Sequence, residues 1–209
     1  MRRDLNQQTI QSIESTFRSF NQPIWIVTTQ FQNRRSGLTA TWIHQASIDR
    51  EHPTVLLGLA PNHFTCEQLH QSGYCMLHLL MPNQAELAYQ FARPSSRFRD
   101  KFADIKVEEY QFSFDSAELT LPMLTECHTA IACKTLATFQ AGDRDYFLTD
   151  IIALPKSNEQ PHLRESELFG GLTPSQLDEL KTDLKKDVEI QRPMLSEWIG
   201  QLKNSKSEN

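Results

Sequence analysis

Residues 54–59, Thr-Val-Leu-Leu-Gly-Leu, follow Pro53 and place apolar side chains at adjacent positions. Successive side chains of a strand point to opposite faces, so a run like this is stable as a strand only where both faces are covered. It therefore predicts a central strand, and the rest of the chain must supply its neighbours. Ile24-Trp25-Ile26-Val27-Thr28-Thr29 is rich in β-branched and aromatic residues and reads as a second strand. A polar turn, Asn33-Arg34-Arg35-Ser36-Gly37, leads to a third over residues 38–43. Residues 74–80 form another, and two long strands, 130–139 and 146–154, meet at Gly142-Asp143 as a hairpin.

Helices fall between and around these strands. Ile10, Ile13, Phe17 and Phe20 share one helical face ahead of Pro23. A short helix over 64–70 is closed by Gly73. Asn83 with Glu86 three residues on opens another, with Leu87 and Phe91 as its buried side. Residues 94–122 read as irregular, with two clusters of phenylalanine and basic residues. After a polar stretch at 155–161, Thr173-Pro174-Ser175-Gln176 starts a helix with the apolar stripe Leu177, Leu180, Leu184 and Val188. Pro193 is expected to break it, leaving a final short helix over 194–202 and a frayed tail. Strands in runs with helices at the margins indicate a mainly β chain, a β-barrel with added helices. The expected division is an N-terminal helix (1–22), a barrel domain (23–155) and a C-terminal helical extension packed on the barrel or across a dimer (156–209). A βαβ dinucleotide fold is disfavoured, because no glycine-rich turn joins a strand to a helix and Gly170-Gly171 lacks that context.

A net charge of −5 argues against nucleic-acid binding, which needs a basic face to displace counterions. The four cysteines have no CxxC spacing. Three sit in apolar runs and read as core residues, while Cys66 is expected to be the reachable one. The N-terminus is polar and no apolar span is long enough for a membrane, so the expected location is cytoplasmic.

Two segments could hold an anion. In Gly37-Leu38-Thr39-Ala40-Thr41-Trp42, hydroxyls flank a small residue, which suits phosphate oxygens and equally suits an ordinary strand. In Ala60-Pro61-Asn62-His63-Phe64-Thr65, the chain passes from a strand into a helix start, where free N–H groups and the helix dipole favour negative charge. Asn62 and Thr65 could equally be helix caps. No Ser-His-Asp order stands out and Gly-x-Ser-x-Gly is absent.

The order of these pieces resembles the flavin reductase-like, FMN-binding split barrels. Thr39-Ala40-Thr41-Trp42 stands for that family's Thr/Ser-Ala-Ser-Ser segment. Ser47-Ile48-Asp49 with Pro53 stands for its Ser-x-x-Pro-Pro, and Asn62-His63-Phe64-Thr65 for its Asn-x-Ser/Thr-x-Thr loop. The helix from Gln84 to Ala92, Asp100-Lys101-Phe102-Ala103, and Leu121-Pro122-Met123-Leu124 followed by Ala130-Ile131-Ala132-Cys133 continue the match, which covers residues 23–154. The resemblance implies an antiparallel Greek-key split barrel that forms a homodimer with one FMN per subunit. It also implies a ligand set of Thr39, Ala40, Thr41, Trp42, Ser47, Ala60, Asn62, His63 and Thr65, with Lys101 as an added cation. It further implies a flavin or ferric reductase that passes hydride from NAD(P)H to flavin N5, and the apolar stripe of the C-terminal helix then reads either as packing on the barrel or dimer or as a lid or docking surface for a partner oxygenase. The alternative is an FMN electron-transfer or carrier protein with no nicotinamide site. Two departures concern the nicotinamide side. The family's Gly-Asp-His turn reads Gly142-Asp143-Arg144, and its Tyr/Gly-rich end is replaced by Pro161-His162-Leu163-Arg164-Glu165.

Overall fold

The structure, a computed structural model, describes residues 5–93, 95–114 and 117–205. Its elements are α1 (Gln7–Arg18), β1 (Trp25–Phe31), β2 (Arg34–Ala40), β3 (Ile43–Gln45), β4 (Thr54–Leu59), α2 (Phe64–Ser72), β5 (Tyr74–Leu79), α3 (Ala85–Ala92), β6 (Val107–Phe114), β7 (Ala117–Leu124), β8 (Thr129–Ala141), β9 (Arg144–Lys156), α4 (Glu165–Gly171) and α5 (Pro174–Ser205). Seven strands form one sheet in the order β2-β1-β5-β8-β9-β4-β3, and β6-β7 form a separate hairpin. Every pairing is antiparallel.

The sheet order forces the shape. β2 and β3 are consecutive in sequence yet lie on opposite edges, and Thr41 and Trp42 alone separate them. Three Cα–Cα steps span at most about 11 Å. Seven strands laid flat would put the edges about 29 Å apart. The sheet must therefore curl until its edges nearly meet, which gives the split barrel. The expected single strand over 38–43 is thus two strands, and the break between them is the seam.

The interior of the curl is filled by Val27, Ala40, Ile43, Val55, Leu57, Leu59, Leu77 and Phe147, plugged by Cys66 and Leu69 of α2. The outer face of β1 and β5 is covered in two places. Ile24, Ile26 and Leu80 pack with α3, Phe102 and α4. Met76 packs with Leu121 of the β6-β7 hairpin. That hairpin corrects the expected irregular middle, since Val107, Tyr110, Phe112 and Phe114 are the half-buried positions of β6 between exposed polar residues. β4 is not central. It lies one strand from the edge, with Val55, Leu57 and Leu59 in the core and Leu56 and Gly58 half-buried on the other face.

Further corrections concern single residues. Gln32 and Asn33 take positive φ (48° and 59°) and make the β1-β2 turn, so Gly37 lies within β2. A Cβ there would sit 2.7 Å from the Phe91 ring, so the glycine is needed for packing. Gly142 (φ 70°) does make the β8-β9 turn, and Gly73 (φ 71°) ends α2. Gln84, not Asn83, precedes α3. All four cysteines are buried, Cys66 included. Pro193 does not break α5, which continues for 32 residues through it. Proline removes one intrahelical hydrogen bond, and contacts on either side hold the helix. Gln191 bonds to Asn62, and Leu195 lies against Gly142. The apolar stripe of α5 buries only in its first half. Leu177 and Leu180 pack near α3, whereas Leu184 is 60% exposed. α1 buries none of its residues.

His78 on β5 is wholly buried between two backbone groups. Its Nδ1 donates to Ile26 O (3.2 Å) and its Nε2 accepts from the Leu124 N–H (3.1 Å), which uses the neutral ring at both nitrogens. Burial pushes its pKa down to about 4 from 6.5. An unfolded chain takes up this proton near 6.5 and the folded one near 4, so the stability is present above 6.5 and lost as pH falls through that window. Roughly 3 kcal/mol is at stake. His78→Leu should lower the melting temperature at neutral pH, since it unpairs both backbone groups, yet lose less between pH 6.5 and 4.5 than the parent. Thermal melts across this range check it, and parallel acid losses would contradict the assignment.

Candidate functional site

The second face of β4 lines a groove of about 840 Å³. Leu56 and Gly58 form its floor, Thr41, Trp42, His44 and Tyr146 its walls, and Phe17 and Phe20 its rim. A side chain at Gly58 would crowd these walls, because a Cβ would lie 3.2 Å from both the Trp42 and Tyr146 rings. The Gly58 N–H donates to Trp42 O (2.9 Å), which fixes the seam residue against the strand. Trp42 remains 45% exposed, with the Arg144 guanidinium over its ring at 4.7 Å. Phe139 stacks on Tyr146 at 5.2 Å. Apolar walls suit a flat aromatic ligand, and the charges around them are mixed: Arg144 over Trp42 and Arg18 on the lining, with Glu14 and Glu165 as acids.

At the end of β4 the chain turns through Ala60, Pro61, Asn62 and His63 into α2. His63 is the N-cap residue but makes no side-chain cap bond, so the first turn of α2 keeps its capacity for an anion. The side chains of Asn62 and His63 point instead to α5. Asn62 Nδ2 donates to Asp187 Oδ1 (3.3 Å), and His63 Nε2 lies 3.4 Å from Asp187 Oδ2. Asn62 Oδ1 accepts from Gln191 Nε2 (3.2 Å), and Gln191 Oε1 accepts from Arg144 (2.7 Å). A chain of contacts thus runs from the loop through α5 to Arg144 and Trp42, joining loop to groove. Burial pushes the His63 pKa down, with Asp187 pushing back.

α5 is held here by charge. Glu179, Asp183 and Asp187 repeat every four residues and so share one face. Arg93 pairs with both Glu179 and Asp183, and Tyr89 Oη donates to Glu179 (2.6 Å). Gln176 adds a bond to Glu86 (2.7 Å). Asp187 is the acid of this stripe that meets the Asn62–His63 loop.

The sequence-expected residues therefore separate into groups. Thr41 and Trp42 line the groove, and Asn62 and His63 form the loop. Ala40 and Ala60 are core residues, and Thr65 is buried on α2. Thr39 Oγ1 donates to Ala88 O (2.6 Å) and so ties β2 to α3. Ser47, in the loop after β3, accepts from the Asp49 N–H (3.0 Å). Lys101 is turned inward, with Nζ donating to Gly37 O (3.0 Å) and Phe91 O (2.5 Å), and burial pushes its pKa down to about 7. Its ammonium thus fastens β2 to α3 where an added cation for a ligand was expected. Other cations do gather near α2: Arg34 and Arg97 lie over the Phe64 ring at 4.2 and 4.9 Å.

Gly58, Tyr146, Asp187 and Gln191 were missed. The spacing of the α5 acids was the available signal. Cys66, His70 and Asp145 bring ligand-type atoms within 4.8 Å of one another. His70 and Asp145 already satisfy each other at 2.8 Å, and burial together with Asp145 pushes the Cys66 thiol far up, which disfavours the thiolate a nucleophile or metal ligand needs. Among the described residues no helix is long and apolar enough to cross a membrane.

Removing the Arg93 anchor should free α5 without touching the groove. Arg93→Ala is expected to cost about 1 kcal/mol, the scale of part-exposed ion pairs, and to speed tryptic cleavage after Lys181, Lys185 and Lys186. An unchanged cleavage rate would show that the acidic face does not hold the helix.

Comparison with known proteins places the fold. A 4-nitrophenol 4-monooxygenase/4-nitrocatechol 2-monooxygenase reductase component from Rhodococcus opacus is 24% identical over 155 residues, covering 74% of this chain and 77% of the relative. An uncharacterized protein from Aeropyrum pernix is 27% identical over 130 residues, 62% of this chain, and the match spans only about half (47%) of that protein. Among solved structures, an NADH:FAD oxidoreductase of Streptomyces globisporus superposes with a TM-score of 0.62 at 17% identity, covering 78% of this chain and 92% of that one. An FMN-binding protein from Thermus thermophilus gives 0.55 at 20% identity, covering 66% and 71%. The profile described as "Flavin reductase like domain" matches residues 17–198, and the chain belongs to the flavin reductase-like family.

Proposed function

We propose that this protein is an FMN-binding oxidoreductase, acting as an NAD(P)H-dependent flavin or ferric reductase in the cytoplasm, as a homodimer. The observation that carries the reading is the Asn62–His63 loop, which already holds a carboxylate, joined through Gln191 and Arg144 to an aromatic-walled groove. A donor set that accepts two carboxylate oxygens also fits a phosphate, and the groove fits a flat ring system. Asn62, His63 and the first turn of α2 would hold the phosphate, and Thr41, Trp42 and Tyr146 the ring. Bound flavin would supply the hydride-accepting centre. The protein's own part is then to bind, orient and shield it from water, which needs no titrating side chain.

The homodimer reading is supported by the uncovered apolar surface of α1 and the turn after it, where Phe17 and Phe20 are 64% and 54% exposed beside the groove. The Rhodococcus relative is by name a reductase component of a monooxygenase, which supports a partner oxygenase for this chain. One observation favours the second reading, an FMN electron carrier without its own nicotinamide site. α5 lies against the β8-β9 turn, whose Arg144 sits over the Trp42 ring, with Leu195 3.1 Å from where a Gly142 Cβ would be.

Mixing the protein anaerobically with FMN and then NADH or NADPH separates the readings. Bleaching of the flavin absorbance by either nucleotide supports the reductase. Binding without bleaching leaves the carrier, and no binding removes both. Trp42→Ala should weaken FMN binding about tenfold, the scale of a lost stacking contact. Fluorescence titration checks it, and unchanged affinity would move the ring site elsewhere.

A further inference from the structure

We propose that Asp187 of α5 is a built-in anion for the Asn62–His63 loop, and that it lowers the protein's preference for FMN over flavins that carry no phosphate. The inference rests on the flavin reading above and adds to it a residue that sets ligand choice.

The geometry supports it in three ways. First, the two oxygens of one carboxylate are divided between the two loop residues, Oδ1 to Asn62 at 3.3 Å and Oδ2 to His63 at 3.4 Å. This is the pattern in which a phosphate would present two of its oxygens. Second, these contacts are long for hydrogen bonds, and the Asp187 and His63 side chains are 35% and 38% exposed. The carboxylate is therefore held weakly and within reach of solvent. Third, the acids of the stripe are not equivalent. Glu179 and Asp183 are paired with the Arg93 cation. Asp187 meets an amide and an imidazole whose charged form burial disfavours. Arg144 faces this corner too, but its bonds go to Gln191 and to Asp143. Arg93 thus fastens α5, and the Asp187 contact beyond that anchor is the one a stronger anion can replace.

The consequence follows from charge alone. A flavin without a phosphate leaves the loop to Asp187 and binds with the helix in place. FMN brings a phosphate to the same donors, so it must displace the carboxylate or sit beside a like charge, and part of its phosphate binding energy is lost. The site accepts both ligands with similar affinity, a useful property where flavin is exchanged and not retained.

Fluorescence-quenching titrations of the full chain with FMN and with riboflavin test this, with no turnover involved. For the parent protein the two dissociation constants should agree within about threefold. Asp187→Asn keeps the shape and removes the charge, and it should tighten FMN about tenfold, the scale of one such unfavourable interaction, while leaving riboflavin unchanged. Asp187→Ser should act in the same direction. Asp178→Asn, which removes an equal charge from an exposed position paired with Lys181, should change neither. Equal tightening of both flavins by Asp187→Asn would overturn the proposal, because the residue would then act only by latching the helix. So would an FMN affinity unaffected by either Asp187 variant. If neither parent nor variants bind any flavin, the flavin reading itself falls, and this proposal with it.

Discussion

The two-residue step from β2 to β3 is the constraint on which the rest of this structure depends. Thr41 and Trp42 must connect opposite edges of a seven-stranded sheet, and that is possible only if the sheet closes on itself. Closure creates an interior, which α2 plugs, and a seam, at which Trp42 is left outside and half exposed. The exposed tryptophan packs beside Gly58, where a Cβ would crowd its ring. The groove is thus a by-product of how the barrel closes. The residues that line it are the ones the closure cannot bury.

The same closure positions the anion loop. β4 leads from the groove floor directly into Asn62 and His63, so one strand carries both the groove floor and the proposed anion loop. α5 completes the corner from the far end of the chain. Leu177 and Leu180 pack its first half near α3, and beyond them its acidic face is held through Arg93 at the end of α3 while Gln191 bonds to Arg144 beside the β8-β9 turn. The acidic contacts respond to a competing anion, whereas the leucine contacts near α3 do not.

Much of the fold was legible because apolar patterning and turn chemistry agree. The β4 run, the Gly142 hairpin and the glycine end of α2 all stand where local sequence puts them. The β4 run is the exception in its placement: apolarity on both faces predicts a central strand, whereas its second face lines a groove near the sheet edge. Periodicity reports burial by any apolar surface and does not distinguish core from ligand site. The β6-β7 hairpin was missed because Glu108-Glu109 interrupts its alternation and basic residues precede it. Pro193 was overweighted, since its local cost is offset by tertiary contacts that no local rule includes. Of the candidate residues, Asn62, His63, Thr41 and Trp42 converge on one region. Thr39 and Lys101 do not, because their polar groups close carbonyls of the protein itself. Whether a threonine or lysine faces a ligand or the backbone is decided by packing between elements far apart in sequence. Asp187 lies more than a hundred residues from the loop it meets, so nothing in the local sequence points to it.

The central claim is that the Asn62–His63 loop is the charged end of a flavin site. Titration of FMN fluorescence with the parent protein and with Asn62→Asp tests it most directly, because the substitution is nearly isosteric and places a carboxylate where a phosphate would bind. Saturable quenching at one FMN per chain that Asn62→Asp abolishes is the predicted result. Equal binding by the two proteins would contradict the account.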